Sequence, residues 1–189
     1  QALQIAIAAG DRATAIRLHG RLGRIAQQQR DDHAAIEHYR RALDLAETIE
    51  QPELLGNALL HLATAQHAVG DPGAISTYRR ALTIAQQCGD VRRESLIRLN
   101  LGVLLSTNGH RNEGLDHLYY AAELVERLGE SGKGLAEQIA EAIVRSGGTV
   151  SERDRWPSYA TDARPSDVAR DNRRRGDDEL FSEMTLPPQ

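Results

Sequence analysis

Apolar residues recur along this chain at i, i+3, i+4 and i+7, the spacing of a helix with one buried face, and the pattern itself repeats. Residues 1–6 (QALQIA), 41–46 (RALDLA), 80–85 (RALTIA) and 120–125 (YAAELV) align with one another. Their alanine column, Ala2, Ala42, Ala81 and Ala121, advances by 40, 39 and 40 residues. Further columns hold Leu22-Gly23, Leu62-Ala63 and Leu101-Gly102; Ala35, Ala74 and Gly114; and Tyr39, Tyr78 and Leu118. A repeat of this length accommodates two helices, A then B, each needing the next pair to bury its apolar face.

In the second repeat the pattern predicts helix A over 53–69 and helix B over 73–88, parted by Gly70-Asp71-Pro72-Gly73, a strong break. Gly10-Asp11 and Gly89-Asp90 mark the passage from one repeat to the next. The glycine suits the left-handed end of helix B, and the aspartate suits the N-cap of the following helix A. Pro52 stands where a first helical residue is expected. Gly23, Ala63 and Gly102 on helix A, facing Ala35, Ala74 and Gly114 on helix B, let two axes approach closely. Residues 134–145 read as one more amphipathic helix, with Leu135, Ile139, Ala142 and Ile143 on one stripe, capping the stack before Gly147-Gly148.

Small-large pairs on helix A, alanine at the start of helix B, then an aromatic and Ala-Leu-x-Leu/Ile, resemble the tetratricopeptide repeat. The form of about 40 residues is similar to that of kinesin light chains, LGN-type polarity adaptors and bacterial regulators. The resemblance spans residues 1–146 and implies an all-α fold: a right-handed α-α superhelix of about three full repeats with partial flanking helices. The expected division is 1–10 as a partial helix B, then repeats at 11–50, 51–89 and 90–129, a capping helix at 130–148 and a disordered tail at 149–189. The chain opens inside a helical pattern, which points to further repeats before Gln1, or to self-association through an exposed apolar end face.

Composition narrows the functional classes. Hydrophobic residues make up 40% of the 189, enough for a sizeable core, and aromatics only 4%, which favours close helix packing over a sandwich. A net charge of −4 gives no global reason to expect nucleic acid, and Arg173-Arg174-Arg175 is flanked by acidic residues. No apolar run approaches a membrane span. Cys88, the sole cysteine, fits a reducing, cytoplasmic setting. The seven histidines lack metal-ligand spacing and no phosphate loop follows a strand, so neither enzyme, cofactor nor metal is expected.

The resemblance implies a module that binds a protein or peptide on the concave face lined by helices A. Carried over by column, that face offers Arg17, Arg21, Arg24, Gln27 and Gln28; then Asn57, Leu60, His61, Thr64 and His67; then Leu96, Leu99, Asn100, Val103 and Ser106. Leu96, Leu99 and Val103 read as a stripe the core does not need. Such a groove is basic and amide-rich at one end and apolar at the other, matching an acidic, partly apolar segment. Leu96 and Asn100 stand where a carboxylate clamp for chaperone tails needs basic residues, which disfavours that ligand.

From residue 149 the periodicity stops, and the segment reads as disordered. It nevertheless holds Trp156, Phe181 and Met184, each the only residue of its kind. Asp177, Asp178, Glu179, Leu180, Phe181 and Met184 make an acidic segment with apolar anchors, loosely similar to the start of a GoLoco motif. It is a candidate linear motif or intramolecular ligand. The alternative to an adaptor is therefore an autoregulated or sensor array within a larger signalling protein.

Overall fold

The computed structural model describes residues 1–149, which form eight α-helices and no strand. The helices are α1 (Ala2–Ala8), α2 (Arg12–Gln28), α3 (Asp32–Ala46), α4 (Pro52–Ala68), α5 (Ala74–Cys88), α6 (Val91–Thr107), α7 (Arg111–Glu126) and α8 (Lys133–Arg145). A 3-10 turn, Gly129–Gly132, leads into α8. Each helix packs on its neighbours in sequence, and α2, α4, α6 and α8 also touch one another in order. The fold is an all-α solenoid, with the even-numbered helices drawn together on its inner side. The expected tail disorder and the motif at 177–186 lie outside the described residues.

Local chemistry fixes the helix ends. Gly89 ends α5 at φ 65°, a left-handed conformation that costs glycine little. Asp11, Asp31 and Asp90 cap α2, α3 and α6, accepting bonds from the backbone N–H of Thr14 (2.9 Å), Ala34 (3.0 Å) and Arg93 (2.9 Å). Each satisfies one of the N–H groups a helix leaves free, for about 1 kcal/mol. Pro52 opens α4 at its first turn, where its missing N–H costs nothing. The turn after α2 departs from this chemistry. Gly70 and Gly109 carry positive φ after α4 and α6, but the matching residue after α2 is Arg30, at φ 59°.

The small residues stand where the helix pairs come closest. A Cβ built on Gly102 would lie 2.7 Å from the carbonyl oxygen of Gly114, and one on Gly114 would lie 2.6 Å from that of Gly102. Only two glycines allow α6 and α7 to cross at that separation. A Cβ on Gly23 would strike the Tyr39 ring at 2.4 Å. Tyr39, Tyr78 and Leu118 are fully buried behind these contacts, with Ala42, Ala81 and Ala121 beside them. Burying a large side chain contributes roughly 1.5–3 kcal/mol, so these columns carry much of the fold's stability.

Polar contacts join the helices away from this core. His19 of α2 and His38 of α3 meet with their Nδ1 atoms 3.2 Å apart. Nineteen residues again separate Arg98 of α6 from His117 of α7, whose atoms approach to 3.4 Å. Arg98 also pairs with Glu94 at 2.8 Å and lies 4.0 Å over the Tyr120 ring. After α8 the chain is held against α7. Arg111 donates from Nε to Ser146 O (2.8 Å) and from a terminal nitrogen to Gly147 O. The Tyr119 hydroxyl donates to Thr149 O (3.1 Å) and accepts from Thr149 N (3.2 Å).

Candidate functional site

Arg17, Arg21 and Arg24 lie three and four residues apart, which brings them to one face of α2. That face borders a recess of about 90 Å³ between α2 and α4, with α3 beneath it. Ile16 and Gly20 join the arginines from α2, Tyr39 and Ala42 come from α3, and Leu54, Asn57, Ala58 and His61 from α4. The recess combines an apolar lining, three guanidinium groups and one amide, and no carboxylate lines it. Arg17 and Arg21 are exposed, so their heads are open to an incoming group. A guanidinium binds a carboxylate best through two parallel N–H bonds.

Rigid contacts set the base of the recess. The Tyr39 hydroxyl donates to Gln27 Oε1 at 2.6 Å, and its ring stacks on His61 with centroids 5.2 Å apart and planes within 10°. Burial pushes the Tyr39 phenol above its ordinary value. Burial also holds His61 down to about 4, helped by the nearby charges of Arg24 and Arg93. His61 is therefore a neutral imidazole at pH 7, and the arginines are the cations at the site.

Of the groove residues expected from the sequence, Arg17, Arg21, Arg24, Asn57 and His61 come together here, and the others do not line the recess. Gln28 is exposed near the end of α2, and Gln27 is occupied by Tyr39. Thr64 donates to Leu60 O (2.9 Å) and accepts from the Tyr78 hydroxyl (3.3 Å), while His67 meets the edge of the Tyr78 ring. The expectation of a leucine stripe free of the core is overturned. Leu96 and Leu99 are 5% and 3% exposed and belong to the core, and Val103 is half-buried against it. Asn100 is likewise buried, and Leu60 is 1% exposed. The four side chains on α6 are enclosed because that helix lies within the stack, with α4, α5, α7 and α8 all packed on it. Ser106 is half-buried against the start of α7, beside Gly114.

The same comparison brings out a residue that the column reading passed over. Position 20 aligns with Leu60, Leu99 and Ile139, all buried, yet it holds glycine. A break of that kind in an otherwise apolar column was the available signal. Elsewhere, Cys88 is half-buried and its thiol is pushed up, chiefly by burial and then by Glu53. Among the described residues no three His, Cys, Asp or Glu side chains converge as a metal site would require, and no helix is long and apolar enough to cross a membrane.

Residues 18–53 match the family model of the tetratricopeptide repeat, a span running from within α2 to the start of α4. No curated protein matches the chain.

Proposed function

Because this chain carries a tetratricopeptide repeat, a module that generally mediates contact between proteins, we propose that it is a protein-interaction module binding an acidic, partly apolar peptide segment on its inner face. One observation carries the reading: three arginines border an apolar-lined recess that has no carboxylate of its own. Charge complementarity selects an acidic ligand and excludes basic ones. The apolar lining supplies affinity that charge alone does not, since exposed ion pairs contribute only about 0–1 kcal/mol each. Asn57 offers an amide to a peptide backbone. The repeat family is generally non-catalytic, and the role assigned here is that of an adaptor or scaffold. Half-buried Cys88 is consistent with a reducing, cytoplasmic setting.

The reading is tested with a fluorescein-labelled acidic peptide, Ser-Glu-Glu-Leu-Glu-Ser, titrated with the protein. Arg21→Glu is expected to weaken binding at least tenfold while the far-ultraviolet circular dichroism stays unchanged, because Arg21 is exposed and outside the core. Equal binding by Arg21→Glu and the parent protein would overturn the reading.

A further inference from the structure

Gly20 sits inside a 17-residue helix, where glycine is unfavourable relative to alanine by roughly 0.5–1 kcal/mol. The other glycines inside α2, α4 and α6 have a packing reason: a Cβ on Gly23, Gly56 or Gly102 would meet a neighbour at 2.4, 3.2 or 2.7 Å, and Gly134, which has none, stands in the first turn of α8 instead of a helix interior. Gly20 has none. A Cβ there would meet nothing within 4 Å. The following repeats place leucine at the same register, and Leu60 and Leu99 are 1% and 3% exposed. Each therefore fills the space on the inner side of its own helix. At α2 that space is empty, and it is the recess described above.

We infer that the recess is a socket for one branched aliphatic side chain of the bound peptide, which takes the place that Leu60 and Leu99 fill in the later repeats. This rests on the peptide-binding reading and adds the determinant of specificity. The ligand carries a leucine-like residue seated over Gly20, between Ile16, Ala58 and Leu54, with an acidic residue beside it on Arg17 or Arg21. The socket explains why an unfavourable glycine occupies a helix interior: a leucine at position 20 would occupy it from within. It also confines recognition to α2 and α4, because the equivalent sites further along are filled by the chain's own leucines.

The test uses the same labelled hexapeptide and its Leu→Ala counterpart against the parent protein, Gly20→Ala, Gly20→Leu and Arg21→Glu. The parent is expected to prefer the leucine peptide by roughly 10- to 100-fold, the effect of burying such a side chain. Gly20→Leu should keep or raise the melting temperature and erase the preference, and Gly20→Ala should reduce it in part. A folded Gly20→Leu protein that still prefers the leucine peptide overturns the socket. So does a parent protein that binds both peptides equally. If Arg21→Glu nevertheless weakens both peptides, the inner-face reading survives and the socket alone fails; if Arg21→Glu changes nothing, both fail.

Discussion

Arg30 shows what a single backbone angle costs. Its φ of 59° places an L-residue with a Cβ in the left-handed region, at about 1–2 kcal/mol, whereas Gly70 and Gly109 hold the same turn in the later repeats. Arg30→Gly removes that strain but adds freedom to the unfolded chain, which offsets part of the gain. The expected net is a stabilisation of about 0.5–1 kcal/mol, read as a higher urea midpoint with unchanged slope. An unchanged midpoint would show that other contacts of Arg30 match the strain. The turn at Gly70 was legible as a Gly-Asp-Pro-Gly break, and glycine is the residue that announces a left-handed conformation. Arg30 was not legible, since nothing in arginine's chemistry signals one. Gly20 was hidden for the opposite reason: its significance is the absence of a side chain, visible only against the leucines aligned with it.

At the scale of the helix, spacing and turn chemistry carried most of the information. The second repeat was expected at 53–69 and 73–88 and is found at Pro52–Ala68 and Ala74–Cys88. Amphipathic period, Pro52 and the Gly70–Gly73 break are all local, so sequence alone reached them. Which residues stay open on the inner face is not local. Leu96 and Leu99 lie at helical spacing on α6, and whether that face is free depends on how α8 and α4 close over it. Close crossing of helix pairs has its own test. Gly114→Ala would normally favour a helix, yet its Cβ would sit 2.2 Å from Ser106 Oγ and 2.9 Å from Ser106 N. Relief requires α6 and α7 to separate, so a net loss of roughly 1–3 kcal/mol is expected by thermal or urea denaturation. Stabilisation by this substitution would show that the crossing has slack.

For the whole molecule, histidines packed between helices set the response to acid. His61 and His117 are both held to about 4. Burial is the larger cause in each, followed by Arg24 and Arg93 for His61 and by Arg98 for His117, where Glu113 opposes. His19 is also lowered, by burial and then by His38 and Arg41. In the unfolded chain these groups titrate near 6.5. The fold favours the neutral imidazole, so its stability is full above about pH 6.5 and falls as pH drops toward 4, where protons bind the unfolded chain first. At pH 5 the loss is on the order of 2 kcal/mol for each of His61 and His117. Urea midpoints should therefore fall between pH 7.5 and pH 5, and His117→Gln should flatten the fall. A midpoint constant over that range would mean that these rings are hydrated in solution.

The anchoring of residues 146–149 by Arg111 and Tyr119 has a practical consequence for geometry. Thr149 is fixed to α7, an outer-layer helix at the opposite end of the solenoid from α2. A fluorophore attached there is thus mounted beside α7 at the far end of the helix order from the arginine-bordered hollow between α2 and α4. Energy transfer from that mount to a labelled peptide would report occupancy from across the stack, with the donor held by hydrogen bonds instead of swinging on a loose tether.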